Sequence, residues 1–289
     1  MTFMVKTFRI FKMHLMKSLG TVQFWVPFVL ALGAVNSSSE ALSKITAHFH
    51  APINAFSASF LLSDKITAFT IFLGVFILFS ELPFRNNNQT FQLVRGGKRP
   101  WIFGQFLYII AISFMYFAFV FAAYCAVLFP RLDFSMKSWG KIVNTIAATN
   151  VSNTYGLRLL MPQNVLSEFS PIEAFGISFA LAVLISITLG VIILTFNLIV
   201  KHNSGLIISG FFIFLYLFLN YVNAISEVMF YCSPLGWCSL ILLDKNGSSP
   251  LPSAEYAIVA LGLALTAMLV ALWVYGSKRV KFVFDLKGD

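Results

Sequence analysis

The stretch from Pro171 to Val200, PIEAFGISFALAVLISITLGVIILTFNLIV, contains a single charged residue, Glu173. About 20 successive apolar residues cross the hydrocarbon core of a bilayer, and a helix that is oily on every side must be surrounded by lipid or by other such helices. Five more runs share this character, so spans are expected near 20–36, 64–82, 100–129, 171–200, 205–226 and 254–276. Charged residues make up only 11% of the chain, against about 25% in soluble domains, which excludes the soluble globular class. The expected fold is all-α: a polytopic membrane protein with six transmembrane helices over 20–276, an interfacial helix over 1–19 and a tail over 277–289.

The net charge of +9 does not mark a nucleic-acid partner, because the basic residues flank the apolar runs instead of gathering into one patch. The sequence before the first run, the loop 83–99, Lys201 and the tail together hold thirteen cations, with only Glu81, Asp285 and Asp289 as acids on that side. The opposite side holds seven cations and eight acids. The positive-inside rule makes the cation-rich side cytoplasmic, with both termini inside a cell membrane crossed several times.

In the opening segment, Met4, Phe8, Phe11, Leu15 and Leu19 recur at steps of three and four, while Lys6, Arg9 and Lys17 point elsewhere. This pattern predicts an amphipathic helix on the inner leaflet, with its cations among lipid headgroups. A plain solvated flank is the alternative.

The polar interruption ELPFRNNNQTFQLVRGGKRPW, residues 81–101, carries its own punctuation. Pro83 is expected to stop the second span, and Asn86, Asn87 and Asn88 offer N-cap oxygens. Two turns follow, ended by Gly96 and Gly97, and Pro100 opens the next helix with Trp101 at the interface. Glu81 is placed to pair with Arg85 or Arg95, bracing the loop together with Pro83. Phe84, Phe91 and Val94 give this short helix an apolar side, which needs either a partner's groove or the lipid interface.

Two stretches, SELPFRNNNQTFQLVRGGKRPWIFGQFLYI and CSPLGWCSLILLDKNGSSPLPSAEYAIVAL, resemble permease subunits of type-2 ABC exporters from Gram-positive bacteria. The resemblance implies that the six spans are half of a dimeric unit, completed by an identical or a different second permease. It implies that the loop after the second span carries a coupling helix docked on an ATPase subunit. Phe91, Leu93 and Arg95 would lie on that helix, with Phe84, Arg85 and Val94 in the same contact. Ser233, Pro234, Leu235, Gly236 and Trp237 would lie at an external re-entrant turn. The segments 37–63 and 130–170 are longer than the usual turns of this group and are expected to form an outer cap or a partner site.

No phosphate-binding loop of the G-x-x-x-x-G-K-[ST] type occurs, so ATP would act through the partner chain; no cofactor bound to this chain and no enzyme activity of its own are expected. His48 and His50 lack a third ligand nearby, so no metal is expected. Cys232 and Cys238 are either a disulfide or two thiols in apolar surroundings. A carrier driven by an ion gradient and a non-transporting immunity or sensor subunit remain the other readings. The carrier would want charged or unwound positions at mid-membrane.

Overall fold

The computed structural model describes residues 2–84, 93, 96–149, 151–200, 203–221, 227–245 and 250–276. Helix α1 (Phe3–Ser18) is followed by α2 (Val22–Phe49), bent from it by 70°. A 3-10 helix over Ala55–Ser63 then turns by 89° into α3 (Lys65–Phe79), and α4 covers Lys98–Leu128. Three short helices, α5 (Gly140–Ala148), α6 (Val151–Thr154) and α7 (Gln163–Glu168), lead to the long α8 (Pro171–Ile199). Helix α9 (Ser204–Tyr221) returns antiparallel, and α10 (Ala254–Ala271) follows after three 3-10 turns.

The protein is a helical, multi-pass membrane protein. Among the described residues, four helices reach the length and apolarity of a span on their own: Lys98–Leu128, Pro171–Ile199, Ser204–Tyr221 and Ala254–Tyr275. The pairs α1 with α2 and the 3-10 helix with α3 reach it only together, so the candidate spans number four to six. At about 1.5 Å per residue, the fifteen residues of α3 extend roughly 22 Å, short of the 30 Å hydrocarbon core. The outer faces are apolar: on α9, Ile207, Phe211, Phe214, Phe218 and Tyr221 form one exposed stripe, a surface that only lipid or another apolar partner solvates.

Two expectations are corrected. The first apolar run does not end its helix at residue 36, because α2 continues to Phe49 through NSSSEALSKITAHF. Leu42 and Ile45 are buried one turn apart, Ser38 returns its hydroxyl to the Val35 carbonyl (3.1 Å), and Lys44 pairs with Glu40 (2.6 Å) at i,i+4 spacing. Pro83 does not stop α3. The helix ends at Phe79, where Ser80 turns both its amide (3.2 Å) and its hydroxyl (2.7 Å) onto the Ile77 carbonyl. The architecture also includes two bridging residue pairs of parallel strand, β1 (Ile53–Asn54) with β2 (Leu132–Asp133).

We call the end carrying α1, Phe84 and the α8–α9 turn the near end. The far end holds the cap expected from 37–63 and 130–170. Asn54 organises it: its side-chain amide donates to the carbonyls of Ser135 (2.7 Å) and Ser138 (2.8 Å), and its oxygen caps the 3-10 helix at Phe56 N (2.8 Å). All nine residues of that 3-10 helix are buried. The Ser57 and Tyr124 hydroxyls (2.6 Å) and the Ser63 and Ser239 hydroxyls (3.2 Å) tie it to α4 and to the turns before α10.

At the near end, α8 and α9 meet backbone to backbone. A Cβ placed on Gly205 would sit 2.5–2.9 Å from the Ile193 backbone, which cannot swing aside as a side chain would. Gly205→Val is therefore expected to destabilise the protein by about 2–4 kcal/mol, read as a lowered unfolding temperature in detergent. Gly33→Ala, at a position with nothing within 4 Å, should leave that temperature unchanged or raise it.

Candidate functional site

The root of the polar loop is where chemistry-bearing side chains converge. The chain leaves α3 through Leu82, Pro83 and Phe84, all three buried. Leaving a helix in apolar surroundings strips backbone groups of their partners, and each must find another or lose free energy. Two side-chain amides supply them. Asn197 of α8 donates from Nδ2 to the Leu82 carbonyl (2.7 Å), and Gln105 of α4 accepts the Phe84 N–H (3.2 Å). Asn197 also accepts the Gly205 N–H (2.8 Å), so a single side chain links the loop root, α8 and the first turn of α9.

Helix α1 closes the site from below. Ile10 presses against Gly104 of α4, where a Cβ would lie 2.8 Å from Ile10 Cγ2, so only a glycine lets the two helices approach this closely. One turn further along, the His14 ring stacks on Phe84 with centroids 4.9 Å apart and 21° between planes. Tyr108 meets the Phe84 ring edge-on at 5.0 Å. Three buried polar atoms here have no hydrogen-bond partner among the described residues: His14 Nε2, Gln105 Nε2 and Trp101 Nε1. Burial, and secondarily the Lys17 charge, pull the His14 imidazole down to about 4, so it is neutral in the folded protein.

The loop's far boundary is also set. The Gly97 N–H returns to the Leu93 carbonyl (2.9 Å), and Gly97 takes a φ of 91°, open to glycine, just before α4 begins. That matches the expected helix end at Gly96–Gly97, with Pro100 in the first turn of the next helix. Arg85, Phe91, Val94 and Arg95 lie outside the described residues, as do the three asparagines and the tail 277–289.

Several expected roles shift. Phe84 and Leu93, expected as partner contacts, turn inward, exposed by only 8% and 3%. Phe84 is held between His14 and Tyr108, which leaves it no outward face. Trp101 is fully buried and does not anchor at an interface. Glu81 is exposed and its expected partners, Arg85 and Arg95, lie outside the described residues; Gln105 and Asn197 brace the loop root beside it and were not expected. Their signal was present: each is an uncharged amide inside an otherwise oily run. On α1, the seam toward the bundle is Thr7, Ile10, His14 and Ser18, a face that was not expected, while Met4, Phe8 and Leu19 of the expected apolar stripe face outward, as a helix lying on a leaflet requires.

At the far end, Ser233, Leu235, Gly236 and Trp237 are buried in short 3-10 turns packed against α8 and α9. Trp237 donates to the Phe230 carbonyl (2.9 Å), and Ser178 of α8 donates to the Cys238 carbonyl (2.8 Å). Cys232 and Cys238 are free thiols, one exposed and one buried, so the disulfide alternative falls. His50 takes the left-handed conformation that ends α2, and His48 rests on Phe49 and Tyr155. No group of metal-ligating residues occurs among the described residues.

Compared with family models, curated proteins and solved structures, the chain has no match in any of the three.

The His14 geometry carries a pH dependence. As pH drops, the unfolded chain takes up the imidazole proton first, near 6.5, and the folded protein only near 4. Stability from this group is complete above about pH 6.5 and declines as pH falls toward 4, by on the order of 3 kcal/mol. His14→Phe, which keeps a ring against Phe84, should flatten that part of the curve of unfolding temperature against pH; a slope equal to the parent's would exclude His14 as its source.

Proposed function

We propose that the chain is the transmembrane permease subunit of an ATP-driven exporter of the type-2 ABC kind. In this reading six spans cross a bacterial plasma membrane, with both termini and the loop 83–99 in the cytoplasm. A separate ATPase subunit grips the loop, and a second permease, identical or different, completes the translocation path. The resemblance of residues 80–109 and 232–261 supports the family, and the cation bias of the near-end segments supports the orientation.

One observation carries the mechanism: the root of the loop is pinned to α4 and α8 by Gln105 and Asn197. Any chain leaving a helix in this apolar setting needs such bonds; in a loop that transmits force they also supply the path by which a displacement enters the bundle. When ATP draws two ATPase subunits together, a push on the loop moves Leu82–Phe84. The two amides pass that displacement to α4 and α8, and Asn197 carries it on to α9 through Gly205. With Phe84 and Leu93 turned inward, Phe91, Val94 and the arginines Arg85 and Arg95 are left as the ATPase-facing set. The turn at Ser233, Pro234, Gly236 and Trp237 serves in this scheme as the re-entrant closure on the outer side.

Phe91→Asp is expected to lower copurification of an ATPase chain from native membranes about tenfold, since in this reading an aromatic anchor for the partner is replaced by a charge. Membrane insertion should be unaffected. Full recovery of the ATPase with the variant, or labelling of residues 85–99 from outside intact cells, would overturn the assignment. An ion-gradient carrier would instead purify alone and stop on collapse of the gradient.

A further inference from the structure

A cavity of about 280 Å³ lies between α8, α9, α10 and the turn holding Pro234 and Trp237. Its wall is apolar in a strict sense. The one hydroxyl among its lining residues, on Thr188, already donates to the Leu184 carbonyl (2.8 Å), and the one ring N–H, on Trp237, is taken by Phe230. A buried water needs two to four polar partners, and this wall offers none.

Size and shape narrow the occupant. An engineered apolar cavity of about 150 Å³ takes up benzene, and this one is nearly twice as large. The residues lining it on α8 run from Ile185 to Phe196, a length of roughly 16 Å at 1.5 Å per residue. It is therefore a slot along the helix. The gap exists because α10 presents Ala260 and Ala264, one turn apart, where longer side chains would reach α8. Left unfilled, such a void forfeits dispersion contacts on every wall. The surrounding phase able to fill it is hydrocarbon: α10 is the least covered of the four single-helix spans, with Val259 and Leu263 exposed.

We propose that this slot binds one acyl chain of a membrane phospholipid, lying along α8 with its headgroup outside the wall. The proposal is independent of the exporter reading, since it requires neither an ATPase nor a second permease.

Native mass spectrometry of the full chain released from micelles tests it. The parent is expected to retain one phospholipid per chain under activation that strips the rest. Ala264→Leu, or Ala260→Leu should the first fail to fold, fills the slot and should cut that retention about tenfold. Folding is checked by a single size-exclusion peak and an unchanged helical spectrum. A second arm places the chain in vesicles of phosphatidylcholine with brominated acyl chains, keeping Trp237 and replacing the other tryptophans with Phe. Trp237 emission should be quenched there and recover in the Ala264→Leu version. No retained lipid in the parent, or equal retention and quenching in the filled variant, overturns the proposal. So does equal quenching by brominated free fatty acid in unbrominated vesicles, which would make the occupant a free acid and not a bilayer lipid.

Discussion

A backbone that leaves its helix within an apolar bundle exposes amides and carbonyls to surroundings that cannot hydrogen-bond them. At the near end this constraint is met by two side chains, Asn197 and Gln105, on two different helices. The consequence reaches beyond the three residues they serve. Because Asn197 spends its other end on the Gly205 amide, the α8–α9 hairpin cannot shift relative to the loop root without breaking a buried bond. Because Gln105 holds Phe84, the Phe84 ring is fixed where His14 can stack on it, and α1 acquires a docking point on the bundle. Remove the amides and the loop, the hairpin and the N-terminal helix lose their common reference.

The far end meets the same constraint with different chemistry. There the chain departs from α-helical geometry over the nine buried residues of a 3-10 helix, a length seldom sustained by i→i+3 bonds alone. Hydroxyls and one amide do the work: Ser57 with Tyr124, Ser63 with Ser239, and Asn54 with the carbonyls of Ser135 and Ser138 in the loop after β2. Between the ends, Ser186 donates to Ser113 across α8 and α4 (2.9 Å), a contact that keeps two smooth apolar helices from sliding past one another.

Span positions were legible because length and hydropathy are properties of a single segment: α4, α8 and α10 begin and end within a few residues of the expected limits. What escaped depends on neighbours. The polar run after Val35 reads as an exit from the membrane, yet Leu42 and Ile45 find a packing surface that keeps the helix going. The apolar stripe of α1 was legible from its spacing, but the second face, where Ile10 approaches Gly104 and His14 stacks on Phe84, was not, because it depends on α4 and the loop root. Phe84 and Leu93 read as adhesive, and they are, but toward this chain itself. The bracing amides were visible as residue types inside oily runs, while their partners, more than a hundred residues away for Asn197 and Leu82, were not.

Helix α8 therefore has two unlike sides. Toward α3 and α4 it is held by the Ser186–Ser113 bond and, at its near end, by the Asn197 pin. Toward α10 it is packed too, but from Ile185 to Phe196 it borders a slot bounded by Ala260 and Ala264. Tilting a helix costs most where side chains interlock and least where the contact is a fluid chain that can reorder. In the exporter reading, a displacement entering at Leu82–Phe84 would meet hydrogen-bonded contacts at Asn197 and Ser186, and would find free volume only along the slot, because α8 is otherwise packed against α10 as well as α4.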